Sequence, residues 1–146
     1  MERPFALKNV YVKRFAPGEG LLETITKWAR AERVITAQVN IIGALTRFNI
    51  GYYDQSKREY VKFRGEGDFE ILHCTGNISS KEGKPFPHLH IMLAGKDGRA
   101  FGGHLFEGST IYIAEAVIHV YDGNSIARIH NEETGLALWP LNKMGR

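Results

Sequence analysis

The chain has 146 residues, 43% hydrophobic and 24% charged, which suits one folded domain with its own core and excludes a disordered or fibrous polymer. A net charge of +3, from 19 basic and 16 acidic residues, permits contact with nucleic acid without making the chain a polycation. A single cysteine, Cys74, excludes an intramolecular disulfide, and no apolar run approaches the ~18 residues needed to span a bilayer.

Phe5 to Phe15 alternates loosely between apolar and charged residues and reads as a first strand, broken by Ala16-Pro17-Gly18. Glu19 to Val34 reads as one long helix: Leu21, Leu22, Ile25, Trp28 and Ala29 recur at helical spacing, with Glu19 and Glu23 near its start and Arg30 and Arg33 near its end. From there the signal is β. Ala37 to Ile50 is rich in Val, Ile and Leu, Tyr52 to Lys57 carries a turn, and Glu59 to Arg64 is a partner strand. Gly65-Glu66-Gly67-Asp68 reads as a turn, Phe69 to Gly76 as a short strand around a core Cys74, and Ile78 to Pro87 as a loop. His88 to Ala94 is a strand leading into an Asp97-Gly98 hairpin turn. Thr110 to Tyr121 is nearly continuous in apolar residues and reads as a central strand. Ile126 to Ile129 and Leu136 to Leu138 look like closing strands. The expected fold is α+β: a single compact domain over residues 1–146, mainly an antiparallel sheet with one long helix in its N-terminal half.

The chemistry concentrates between positions 88 and 104. His88 and His90 stand at i, i+2 in a strand, so their imidazoles share a face. His104 follows Gly102-Gly103 on the next strand. Three neutral imidazoles around one point are the ligand set of a zinc site with an open position, or of a copper, nickel or iron site. His88, His90 and His104 are therefore the candidate metal ligands, with Glu70 and Glu107 as candidates for a fourth ligand or base.

The register is the difficulty. A strict two-residue loop at Asp97-Gly98 puts Lys96 opposite Arg99 and His104 opposite Ile91, turning His104 away from the other two. One extra residue repairs this. A bulge at Gly102-Gly103 is the expected source, and a longer turn would serve as well. His73, His119 and His130 lack such company and read as ordinary core or surface residues.

Other motifs are absent. Gly18-Glu19-Gly20 lacks the third glycine of a dinucleotide fingerprint, and Gly108-Ser109-Thr110 is not a nucleophile elbow. Tyr52, Tyr53 and Tyr60 near Lys57 and Arg58 could stack on bases, but they also suit cross-strand packing. Met1-Glu2-Arg3-Pro4 is not followed by an apolar signal segment, so a soluble, cytoplasmic protein without a membrane partner is expected.

Several segments together resemble the plants and prokaryotes conserved (PPC) domain family. They are Gly18 to Ile25, Ile42-Gly43-Ala44-Leu45, Gly51-Tyr52-Tyr53-Asp54, Gly67 to Leu72, His88-Leu89-His90, Gly102-Gly103-His104-Leu105 and Ala114 to Ile118. The resemblance covers nearly the whole chain. It implies a compact α+β fold, a homotrimer, and DNA or a regulatory protein as partner. In plants the domain follows an AT-hook centred on Arg-Gly-Arg, a sequence this chain does not contain. The histidine pattern is also similar to the zinc site of acetolactate decarboxylase. The expected function is thus a metal-binding, DNA-associated PPC protein, with a zinc-dependent lyase or hydrolase acting on a small carbonyl substrate as the alternative.

Overall fold

The structure, a computed structural model, describes residues 4–141. In chain order the elements are β1 (Ala6–Phe15), α1 (Leu21–Ala31), β2 (Ala37–Asp54), β3 (Glu59–Lys81), β4 (Lys84–Ala94), β5 (Ala100–Leu105), β6 (Thr110–Asp122), β7 (Ile129–Asn131) and β8 (Leu136–Leu138). Six strands form an antiparallel sheet in the order β1-β6-β2-β3-β4-β5. The long strand β2 serves two partners along one edge. β6 pairs with it from Ala37 to Arg47, and β5 takes over at Ile50 and Gly51. Since β5 also pairs with β4, strands β2 to β5 close on themselves as a small barrel.

Period-2 alternation decides what fills it. Leu89, Ile91 and Leu93 of β4, Ile41 and Ile50 of β2, Ile71 and Cys74 of β3 and Leu105 of β5 point into one core. The helix lays Leu21, Ile25, Trp28 and Ala29 on the same core, and each fully buried Leu or Ile contributes about 1.5–3 kcal/mol. Cys74 is the small core residue its neighbours suggest, and burial pushes its thiol up to about 12.

The long helix is a correction. α1 spans 11 residues, shorter than the expected Glu19 to Val34. At its start, Glu19 and Gly20 are engaged by the sheet: Ile111 donates its N–H to the Glu19 carbonyl, and Gly20 bridges to Thr110. At its end Arg33 adopts φ 55°, the left-handed conformation that closes a helix, and the Val34 N–H turns back to the Ala29 carbonyl.

Strand lengths differ for related reasons. The glycines at 65 and 67 do not turn the chain. β3 runs through them, and Gly67 with Asp68 sits opposite the single residue Thr46 as a bulge. The expected loop from Ile78 to Pro87 is a tight hairpin. Glu82 and Gly83, both at positive φ, make the two-residue turn between Lys81 and Lys84. Pro85 and Pro87 sit two apart, so their missing N–H groups face one edge, where β5 pairs with β4 only from His90 onward. β6 is paired on both sides, by β1 and β2. The closing segments form a separate hairpin, β7 with β8, rather than strands of the main sheet. No helix among the described residues is long and apolar enough to cross a membrane.

Candidate metal centre

The three histidines of the 88–104 region converge. His90 on β4 pairs directly with His104 on β5, and His88 stands two residues earlier on the same face. The rings lie 5.2 Å (His88 to His90), 5.1 Å (His88 to His104) and 5.5 Å (His90 to His104) apart between centroids. One nitrogen from each falls within 4.8 Å of the others. The site is on the sheet face opposite Leu89 and Ile91, so the buried leucine and isoleucine that flank the histidines fix their direction.

The register arises from the turn. Ala94 pairs with Ala100, and Gly95 to Arg99 form the loop, in which Gly98 N–H bonds the Gly95 carbonyl and Arg99 N–H bonds Asp97 Oδ1. An odd-numbered loop moves the register by one and brings His104 opposite His90. The bulge expected at Gly102-Gly103 is absent, since β4 and β5 pair without a shift. The glycines serve close approach instead: a Cβ on Gly102 would strike the Ile91 carbonyl, and one on Gly103 the Gly51 carbonyl of β2.

Around the imidazoles stand residues that the sequence did not connect with the histidines. Tyr60 lies 4.9 Å from His104 ring to ring, and Phe106 4.7 Å. Lys62 Nζ sits 4.4 Å over the Phe106 ring. Arg128, only 9% exposed, reaches in from the segment before β7. Its Nε donates to Ser79 Oγ (2.9 Å), one terminal nitrogen to the Ala137 carbonyl (3.1 Å), and the other to Asn77 Oδ1 (2.9 Å) and His88 Nδ1 (3.2 Å). The only sequence signal for Arg128 was a charge embedded in an apolar segment.

Electrostatics keep two of the three histidines neutral. Burial, then the Arg128 and His90 charges, pull His88 from 6.5 down to about 4. Burial, then the charges of His88, His90, Arg128 and Lys62, bring His104 to about 4 as well. Both are thus free bases at neutral pH, the form that donates to a metal. His104 Nδ1 is buried without a hydrogen-bond partner, an orphaned donor or acceptor of the kind an ion satisfies.

Neither candidate carboxylate joins the cluster, which among the described residues holds imidazoles alone. Glu70 is opposite Ala94, roughly 13 Å along β4 from His90 at the rise of a strand. Glu107 lines a cleft of about 490 Å³ beside His104, together with Arg30 and Lys62. His73, His119 and His130 lie outside the cluster. Tyr53 and Tyr60 are cross-strand partners packed edge to face, and Ser109 is buried in hydrogen bonds to Asn49.

The family model for the Plants and Prokaryotes Conserved (PCC) domain matches residues 3–122. The chain belongs to this PPC family. Two solved structures are similar over almost all of it. A metal-containing protein from Archaeoglobus fulgidus is 37% identical, with 97% of this chain and 100% of that one covered at a TM-score of 0.90. A PPC protein from Pyrococcus horikoshii is 36% identical, with 99% of each chain covered at 0.92. The bifunctional protein GlmU of Synechococcus sp. strain JA-3-3Ab is 28% identical over 116 residues, 79% of this chain and 17% of that protein. The PPC chain therefore spans about a sixth of the length of the curated relatives it matches. More distant structures share the fold alone. A candidate DNA-binding protein from Bacteroides thetaiotaomicron is 22% identical (93% and 96% covered, TM-score 0.84). Acetolactate decarboxylase from Bacillus subtilis is 15% identical (88% and 59% covered, TM-score 0.55).

Proposed function

We propose that this chain is a metal-binding PPC protein in which His88, His90 and His104 hold a zinc ion, or another divalent transition metal, and that the whole chain works as one unit in a homotrimer associated with DNA or a regulatory partner. The observation that carries the metal reading is the convergence of three imidazole nitrogens within 4.8 Å of one another, on paired strands. The residues fit such an ion: two of the three rings are held neutral, and one buried nitrogen lacks any other partner. The description of the Archaeoglobus fulgidus relative as metal-containing supports it. Elemental analysis tests it. About one ion per chain in the native protein, lost in His88→Ala/His90→Ala, is the expected result. No metal in either, with the oligomer intact, would make the histidines structural.

The trimer reading draws on an apolar stripe on the outer face of the sheet. Val12 (80% exposed) pairs with Val117, and Ile42 (56%) and Tyr112 (67%) extend the stripe across β2 and β6. Exposed apolar surface of this kind marks an interface. Light scattering measures the state directly. The DNA reading rests on the positive net charge and on the description of distant fold relatives. Duplex binding that weakens as salt rises is its expected signature, and no shift at low salt removes it.

A second reading has its own observation: a cleft of about 490 Å³, lined by His104, Lys62 and Phe106, has room for a small molecule beside the cluster. When bound, a divalent ion there supplies Lewis-acid polarisation and a water acidified to about pKa 7. The chain contributes an enclosing wall from Tyr60 and Phe106. Burial raises the Tyr60 phenol above its usual 10, so it stays a proton donor at neutral pH. Turnover of small carbonyl compounds by metal-loaded protein, lost in His90→Ala while the oligomer persists, would establish this reading.

A further inference from the structure

Arg128 is a buried cation without an anion. Its four acceptors, Ser79 Oγ, the Ala137 carbonyl, Asn77 Oδ1 and His88 Nδ1, are all neutral. No ion pair among the described residues involves Arg128 or Lys62. A guanidinium only donates, so His88 Nδ1 accepts. A neutral imidazole has one lone-pair nitrogen, so the His88 proton then sits on Nε2.

This arrangement cannot persist when His88 takes up a metal. An ion at Nδ1 uses the lone pair that Arg128 now holds. An ion at Nε2 moves the proton to Nδ1, where it faces a guanidinium N–H. In either case a buried Arg128 N–H loses its acceptor beside a newly placed dication, and a buried unsatisfied donor is unfavourable. Ser79, Asn77 and Ala137 still hold the rest of the side chain in place. An anion with two oxygens satisfies both the freed N–H and the open metal position, and it also supplies the negative charge that Arg128 lacks.

Resting on the metal reading above, we infer that the centre takes a carboxylate-bearing small molecule, one oxygen on the metal and the other on Arg128, so that metal and carboxylate bind cooperatively. Such coupling is reciprocal, so it is measurable on the metal side without knowing the natural ligand.

The test is the zinc affinity of the full chain, by competition with a chromogenic chelator. It is measured in acetate and in perchlorate at equal ionic strength, with the chelator alone correcting for zinc held by acetate. Acetate should tighten zinc binding by roughly fivefold or more in the wild type and leave Arg128→Gln unmoved. In perchlorate, Arg128→Gln should bind zinc at least as tightly as the wild type, because it no longer competes for Nδ1. Far-UV circular dichroism checks the fold of each variant. If Arg128→Gln unfolds, Arg128→Lys decides: it keeps the charge without the anchored fork, and its acetate effect should fall below half of the wild-type effect. Zinc at about one per chain with no acetate effect, or an equal effect in the variants, overturns the inference and leaves the metal reading standing. No zinc in the wild type removes both.

Discussion

His90 and His104 are direct antiparallel partners, their rings 5.5 Å apart across β4 and β5. Opposed residues share a face, so this one pairing, with His88 two residues back, assembles the cluster. His104→Ala should reduce bound zinc from about one ion per chain to a small fraction of that, because two imidazoles without a third make a weak site. His73→Ala, outside the cluster, should leave the stoichiometry unchanged. Elemental analysis after dialysis separates the two outcomes, and equal retention would place the metal elsewhere.

The depressed imidazoles predict a pH dependence of the metal-free fold. His88 and His104 titrate near 6.5 in the unfolded chain and near 4 in the folded one. Between those values the unfolded chain binds more protons, so stability rises with pH there. The contribution is complete above pH 6.5 and is lost as the pH falls to about 4. The melting temperature of chelator-treated protein should therefore drop across this window. In His88→Gln/His104→Gln the drop should be shallower. Parallel melting curves for the two proteins would show that other groups set the acid response.

The histidine face was legible because it depends on local periodicity, and the register was not because it depends on the shape of a loop. Asp97-Gly98 suggests a two-residue turn, but the Asp97 carboxylate accepts the Arg99 N–H and the loop widens to begin at Gly95. Glycine and proline misled in the same way. Gly67 absorbs a bulge, and Pro85 and Pro87 are harmless on an edge that β5 has not yet joined. Barrel closure by β5 on β2 is a non-local pairing with no local mark beyond Gly51 and Gly103 themselves. Arg128 was illegible for a similar reason. Nothing about its position in the chain shows that Ser79, Asn77 and His88 lie beside it.

The outer apolar stripe should be sensitive to charge. Ile42 lies across β2 from Glu115 of β6, in a groove it shares with Leu72 and Tyr112. A glutamate there stands beside the exposed Glu115 in an isolated chain, a like-charge pair of small cost at a solvated surface, and meets apolar surface in an assembly. Ile42→Glu should convert the proposed trimer to monomer by light scattering, with little change in far-UV circular dichroism. An unchanged mass would move the interface to another face.

Gly103→Ala tests whether barrel closure and the metal centre are one structure. The new methyl would land on the Gly51 carbonyl, and the site cannot relax outward because β4 holds the other edge of β5. The strands must part, which weakens the Ile50–Leu105 and Gly51–His104 pairs, the two that close the barrel. Overpacking of this kind costs about 1–3 kcal/mol, and the melting temperature should fall by roughly 2–12 °C. Since His104 is the adjacent residue and belongs to one of those pairs, zinc affinity should fall with it. Gly95→Ala is the matched control, because a Cβ there meets only Asp97 Oδ1 at 3.7 Å, an ordinary contact. Lost stability with full zinc affinity in Gly103→Ala would show that β4 alone positions His104, and that closure by β2 serves the fold without serving the site.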